Sequence, residues 1–506
     1  MKNINSSQKQ TVVAGAGSGG MTMALLLAMA GKKVVLVDIQ PEIGGFMRRF
    51  TRDGVYFDTG FHFTGGFENI LAQMLQVMNI DDLVREAPFR SKLYLAESSK
   101  HLSLPQTGVD DLAEYLAQEY PADRDAIMRY YQCEKAVIAN TPMFDLRDQN
   151  FQEKLQLTNY DTTTLAELFS ELKISRETAT VLGSAALCHG TPPCESSVTH
   201  HCRVSYGLGN HISRIERGGD SFIDAFLREA QKYDIRIITG TKIIKTSKPD
   251  STGRCAKVLL SNGEEIEVED VYLSMHPESI FELMPQEVLS SSFLRRVQRM
   301  EDSCSFFSIF GVLDNDLPFG SELTSYLSVN NLDDILLPQR SGTGTGIVLA
   351  DEPDSHGNMR KTLTAFRTMY AEETAKWEKL PRRANNQEYQ DFKTRSTESI
   401  IDEIFRAYPE FKGKFKLSAS STPLTCKDYD PPTGCAYGVR RKIGVSRLFG
   451  RLPVQNFYAI GHSALVPGVL GTMMASFLLF RQNVGEKIYR NLIAERLGKC
   501  EHNRFG

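Results

Sequence analysis

After a polar stretch to Gln10, Thr11–Ala14 reads as a short apolar strand, and Gly15-Ala16-Gly17-Ser18-Gly19-Gly20 follows it directly. An Ala/Leu/Met-rich helix then leads to a second apolar strand, Lys33–Val37, which ends in Asp38. The same alternation returns later in the chain. Phe222–Tyr233 carries apolar residues at helical spacing behind Arg217-Gly218-Gly219-Asp220-Ser221, with Arg236 just beyond its end. Strand-like runs follow at Ile235–Ile238, Lys242–Thr246, Ala256–Leu260, Glu264–Val268 and Val271–Ser274, and Ser261-Asn262-Gly263 forms a hairpin tip. Near the C-terminus Asn456–Ile460 reads as a buried strand. The run Val466–Thr472 then opens a helix expected to continue through Arg481 to Tyr489.

Between these stretches lie two segments of different texture. Residues 81–210 read as helix-rich. Residues 287–439 alternate strand-like runs (Ser305–Leu313, Thr324–Val329, Thr362–Thr368) with a charged helix, Glu372–Lys379, and a longer one, Glu388–Ala407. The expected fold class is therefore α/β. A Rossmann-like nucleotide-binding domain would be assembled from residues 1–80, 211–286 and 440–495. An inserted α+β substrate or cap domain would be built from 81–210 and 287–439, and 496–506 would form a polar tail.

Bulk properties narrow the function. At 506 residues the chain is long for one core, so two or three units are expected. Lys and Arg number 58 against 62 Asp and Glu, a net charge of −4, which argues against a nucleic-acid partner. The nine cysteines are scattered without C-x-x-C spacing and fit a reducing cytoplasm. The opening residues lack the apolar core of a secretory signal, and no run approaches the roughly eighteen uncharged apolar residues of a membrane span. The expectation is a cytoplasmic protein, soluble or peripheral. The apolar stripes Phe67–Leu83 and Phe293–Met300 are expected to face the core, a peripheral membrane contact being the alternative.

The candidate chemistry starts at the glycine loop. G-x-G-x-x-G between strand and helix, with an acid eighteen residues after its last glycine, is a dinucleotide fingerprint. Gly15 permits the tight turn, Gly17 lets backbone approach a diphosphate, and Gly20 lets helix and strand pack closely. Asp38 would accept hydrogen bonds from a ribose, and the free N–H groups at the helix start would attract the diphosphate. Two other runs imitate functional sites. Cys188, His189, Cys194, His200, His201 and Cys202 place six soft ligands within fifteen residues, but without a recognised zinc spacing, and no metal is assigned. Ser341-Gly342-Thr343-Gly344-Thr345-Gly346 imitates a second phosphate loop but precedes a strand (Ile347–Ala350) instead of following one. It reads as a hairpin or flexible loop, so a dedicated NAD(P) domain is not expected.

Three motifs carry a family resemblance. One is the fingerprint joined to Gly44-Gly45 and to Phe57-Asp58-Thr59-Gly60-Phe61-His62. The second is His189-Gly190-Thr191-Pro192-Pro193 with Ser197, His200, Tyr206 and Gly209. The third is Val466-Pro467-Gly468-Val469-Leu470-Gly471-Thr472, supported by Thr422–Thr425, Asp428-Tyr429 and Ala436-Tyr437-Gly438. Together they resemble the phytoene desaturase, carotenoid isomerase and retinol saturase branch of the FAD-dependent amine-oxidase superfamily. The Asp-Thr-Gly-x-His run is most similar to the retinol saturases.

The resemblance implies non-covalent FAD and saturation, desaturation or cis/trans isomerisation of a carbon–carbon double bond in an apolar isoprenoid, polyene or lipid. By position it implies that Gly15, Gly17, Ser18 and Gly20 face the diphosphate, with Asp38 and Ile39 at the ribose and Gly45 and Phe46 beside the diphosphate. Ile243 would lie against adenine, and Gly60, Phe61 and His62 against the isoalloxazine. Gly461 and His462 would lie along the ribityl chain, and the Val469 and Leu470 amides would face the ring. His62 is the first candidate for a catalytic proton donor and Tyr437 the second. The chain departs from the family pattern at Phe46, where an arginine is common, and at His462, where an acid is common. NAD(P)H, quinone and oxygen all stay open as the electron partner. Two other functions remain: a flavin oxidase of amines or porphyrinogens, and a flavoprotein that binds a lipid or partner without turnover.

Overall fold

A computed structural model describes residues 9–498 apart from 143, 150–152, 330, 340 and 446. Residues 499–506 of the polar tail therefore lie outside the described residues. The strand Gln10–Ala14 pairs in parallel with Val34–Val37 on one side and with Glu265–Leu273 on the other. Arg236–Ile238 and Phe457–Ala459 extend this parallel core, which belongs to an eight-stranded sheet. Successive side chains point to opposite faces. Val13, Leu36 and Tyr272 enter one apolar core with the helices Ser18–Met29, Ile70–Met78, Gly219–Lys232 and Gly468–Val484. Val12, Ala14, Val35, Val37, Val271 and Leu273 enter a second core on the other face. Covering both faces explains why Val34–Val37 is apolar throughout. The helix Ser18–Met29 is likewise buried from Gly19 to Ala28, which its Ala/Leu/Met sequence permits on every side.

The second large sheet has seven strands, in the order Phe415–Ser421, Ser305–Leu313, Met359–Met369, Thr343–Pro353, Glu322–Ser328, Arg90–Leu95 and Lys100–Leu104. The helix Gln387–Ala407 covers one face through Ile400 and Ile404, which join Phe307, Ile309, Ile347 and Leu363 in a core. Helices within 109–210 form a further core around Leu112, Tyr130, Leu165 and Cys202.

Several expectations need correction. The segment 81–210 contributes the hairpin Arg90–Leu104 to the second sheet, with Arg90–Leu95 running parallel to Glu322–Ser328. Glu264–Val268 and Val271–Ser274 are one strand, Glu265–Leu273. Its central acids are neutralised by Lys32 on Glu269 at 2.7 Å and by Arg254 on Asp270 at 3.2 Å. Glu372–Lys379 forms no α-helix and breaks into two 3₁₀ turns, at Ala371–Glu373 and Ala375–Trp377. The terminal helix stops at Val484 because Gly485 adopts φ +85, and a second helix, Glu486–Leu497, starts there. The Gly344 and Gly346 run lies inside the strand Thr343–Pro353 and is not a loop. Both apolar stripes, by contrast, face the core as expected: Ile70, Leu71, Met74 and Met78 are buried, as is Phe293.

Candidate active site

The glycine loop sits at the carboxyl ends of the parallel strands, where open α/β sheets bind their ligands. Gly15 has φ +97, and a Cβ there would lie 2.2 Å from the Ser274 carbonyl oxygen. A Cβ on Gly20 would lie 1.8 Å from the oxygen of Gly15, so helix and strand meet with no room for a side chain. At Gly17 the opposite holds: nothing lies within 4 Å of where a Cβ would be. The first-turn N–H groups of Ser18–Met29 lack helical partners and border this open space. A diphosphate fits such a cradle. The Gly44 N–H donates to the Ala16 oxygen at 2.8 Å, and the Cβ direction of Gly45 comes within 3.2 Å of the Gly17 Cα, so the second glycine pair borders the same space.

Asp38 ends its strand beside this loop. Its carboxylate accepts from the backbone N–H of Ala16 at 2.5 Å and of Gln40 at 2.7 Å. Burial raises its pKa against these hydrogen bonds. The Asp38 oxygen also accepts from the Thr241 N–H at 2.8 Å, two residues before Ile243, which is buried in the core. Ile39 is exposed beside it.

The two ends of the chain meet here. Ser18 Oγ and Thr472 Oγ1 are 2.7 Å apart, and Ser476 Oγ donates to the Gly19 oxygen at 2.8 Å. The Cβ direction of Gly19 meets Thr472 at 3.3 Å and the Gly461 Cα at 3.5 Å. That of Gly60 meets Phe46 at 3.2 Å, and that of Gly66 meets Leu470 at 3.3 Å. Phe61, Val469 and Leu470 belong to the first apolar core. His462 is 3.6 Å from Asp430, its Nε2 is buried without a hydrogen-bond partner, and burial lowers its pKa. An unpartnered nitrogen beside the cradle is a second feature that a bound nucleotide cofactor would explain.

His62 lies against an interior strand of the second sheet, Met359–Met369. Its ring stacks on Phe366, with centroids 4.9 Å apart and planes 10° from parallel. Phe366 meets Phe306 edge-on at 5.2 Å, and Phe306 meets Tyr437 edge-on at 5.7 Å. An aromatic row thus joins the two candidate catalytic residues. Gly346 makes it possible, because a Cβ there would lie 2.5 Å from the Phe366 ring. His62 Nδ1 lies 3.8 Å from Asp58 and has no hydrogen bond. Burial alone would raise the Asp58 carboxyl, but the Arg214 charge, with His62 and Arg49, holds it at about 2. Arg214 also pairs with Glu352, and Arg49 pairs with Glu352 and, at 2.8 Å, with Asp220, tying Asp58 to the second sheet. The Tyr437 hydroxyl donates to the Leu187 oxygen at 2.8 Å, and burial holds the phenol well above its usual range.

Within the Cys/His run, the Thr191 N–H donates to His189 Nδ1 at 3.3 Å. His189 Nε2 is 3.2 Å from His201 Nδ1, and His201 Nε2 is 3.3 Å from the Leu182 oxygen. Neutral imidazoles satisfy this chain. Among the described residues, the group spaced to hold a metal ion is His276, Asp302 and Cys435, which shares no member with that run.

Sequence reasoning gave no site role to Ser274 or Asp430, and it read Tyr429 only as part of a family motif. Gln40 Nε2 donates to the oxygens of Asp428 and Tyr429 at 3.2 and 3.0 Å, and Arg48 lies 5.1 Å from the Tyr429 ring centre, so the 428–430 segment lies across the end of the second strand. Ser274 was findable, since it ends the strand paired with the fingerprint strand.

A doubly covered parallel sheet, a dinucleotide cradle completed by both chain ends and an aromatic row define a nucleotide-cofactor oxidoreductase. The chain matches the flavin containing amine oxidoreductase family over residues 18–288 and belongs to it. The all-trans-retinol 13,14-reductase of Danio rerio is 22% identical over 91% of this chain and 84% of its own length. That of Homo sapiens is 22% identical over 95% and 86%. An oxidoreductase structure from Methanosarcina mazei shares the fold at TM-score 0.66 and 16% identity, covering 93% of this chain and all of that one. Among the described residues no helix is long and apolar enough to cross a membrane.

Proposed function

We propose that this flavoenzyme uses FAD to add, remove or shift hydrogen at a carbon–carbon double bond of an apolar isoprenoid or polyene. The observation that carries the reading is the aromatic row His62–Phe366–Phe306–Tyr437, a run of one stacked and two edge-on ring pairs suited to contact with a conjugated chain. The activity for which the two relatives are named, reduction of all-trans-retinol at its 13,14 position, supports the same substrate class. Two neighbouring hydroxyls, Ser18 and Thr472, and the open space over Gly17 suit an adenine dinucleotide, so the flavin is read as FAD.

Bound flavin supplies the hydride donor or acceptor. His62 holds the proton partner in this reading. The ionised Asp58 lies 3.8 Å from Nδ1, and Phe366 fixes the ring plane. Tyr437 orients the substrate as part of the wall, because its proton is committed to the Leu187 carbonyl. Residues 90–104 and 305–421, with the helices of 109–210, form the substrate side of the molecule, and the parallel sheet forms the cofactor side.

Lipids and pigments extracted from cells with and without the protein test the reading by mass spectrometry. A shift of two mass units marks saturation or desaturation, and a changed retention time at constant mass marks isomerisation. An unchanged profile of every polyene and isoprenoid would remove it.

A further inference from the structure

A cationic cluster lies between the aromatic side of the molecule and a cavity of about 490 Å³ among the helices of the 124–210 region. Arg203 and Thr199, one turn apart on the helix Val198–Asn210, line that cavity together with the carboxylates of Asp161 and Glu171. Behind them lie His200, Arg441 and Arg447, and each of the three arginines lowers the pKa of His200. Among the described residues, no carboxylate forms an ion pair with Arg203, Arg441 or Arg447. Asp161 is within electrostatic range of Arg203 and Arg447, but its carboxylate accepts from the Thr158 N–H at 2.7 Å and hydroxyl at 3.0 Å. The remaining contacts of the arginines are neutral. Arg203 Nε donates to Thr141 Oγ1 at 3.1 Å, and Arg441 donates to the oxygens of His462 at 2.9 Å and Ala464 at 3.5 Å.

Unpartnered buried polar atoms mark the same place. Arg441 is 6% exposed and its Nε has no partner, and the same is true of Thr199 Oγ1 and His200 Nε2 at 4% and 2% exposure. Buried guanidinium groups that repel one another are costly unless an anion offsets them. Arg441 is buried and Arg203 and Arg447 are half-buried, and the chain brings the three cations together from two distant segments. We infer that Arg203, Arg441 and Arg447 form an anion subsite that takes the carboxylate or phosphate head of the substrate, with Thr199 and His200 completing its hydrogen bonds. Arginine favours such oxyanions through paired N–H donors. Arg441 is bonded to the carbonyl that follows Gly461, so the subsite adjoins the cofactor segment and would fix how far along the aromatic row the chain reaches.

This inference rests on the proposed function and narrows its substrate from an apolar polyene to one with an acidic end. The test titrates flavin-loaded protein with an all-trans polyene carboxylic acid and with the alcohol of the same skeleton, following the flavin absorbance. The acid should bind at least about tenfold more tightly than the alcohol, as expected for a charge-assisted hydrogen bond. In Arg203→Gln and Arg447→Gln, each checked by thermal melting, that preference should shrink to about twofold. Equal binding of acid and alcohol, or a preference surviving both substitutions, overturns the subsite and leaves the double-bond chemistry standing. Binding of neither, with flavin retained, overturns the functional reading and the subsite together. Inorganic phosphate whose binding is lost in the two variants, yet which does not displace the acid from the parent, assigns the arginines to a free anion and overturns the inference. So does loss of flavin from the two variants, which would assign their charge to the cofactor.

Discussion

Glu134 shows how one residue records its surroundings. It is 1% exposed, one oxygen accepts from Ser205, the other has no partner, and burial pushes its pKa from 4.5 to about 7. The unfolded chain releases this proton as pH passes 4.5, whereas the folded protein keeps it to about 7. The stability it confers is therefore complete below pH 4.5, is lost as pH rises to about 7, and changes no further above that. Glu134→Gln should then be more stable than the parent at pH 8 by about 3 kcal/mol, at ~1.4 kcal/mol per pKa unit, with the urea curves converging near pH 4. Asp38 offers a second residue-scale test. Asp38→Ala removes the proposed ribose acceptor together with the anchor of the Ala16 N–H, and FAD affinity by fluorescence quenching should fall at least about tenfold. Asp38 and the three fingerprint glycines were legible because their roles depend on local spacing. Arg441 and Arg447 were not, because no spacing announces side chains that meet only after folding.

At the scale of elements, the strand Ser305–Leu313 was legible to the residue, since its apolar run pairs on both sides within a sheet. Arg90–Leu95 was not. Its Arg and Lys positions resemble a solvated helix, yet the strand is paired on both sides and Arg90 and Lys92 are matched by Glu322 of the neighbouring strand. Glu372–Lys379 failed as a helix because it is too short to propagate and buries little besides Thr374 and Trp377. The strands Val55–Asp58 and Thr343–Pro353 are joined by the buried ion network through Arg214. Arg214→Gln would leave the buried Asp58 without its ion-pair partner and Glu352 with Arg49 alone, and should cost about 3–5 kcal/mol in urea denaturation. A loss below about 1 kcal/mol would show that the network does not hold the two sheets together.

For the whole molecule, the sequence identified the cofactor side more fully than the substrate side. A nucleotide has fixed chemistry, and the chain meets it with short motifs at both ends, Gly15–Gly20 and Val466–Thr472, that pack through Ser18, Thr472 and Ser476. The proposed substrate surface is instead a row of rings drawn from four separate strands and loops, with Gly346 making room for Phe366. The central claim is that His62 and this row act together on a double bond beside the flavin. The most direct measurement is single-turnover reaction of pre-reduced, FAD-loaded protein with a conjugated polyene, comparing the parent with His62→Gln. The account predicts that the parent loses polyene absorbance or shifts its isomer, and that His62→Gln binds FAD and polyene normally yet reacts at least about a hundredfold more slowly. A parent that leaves every polyene unchanged, or a His62→Gln variant that reacts at the parent rate, would contradict it.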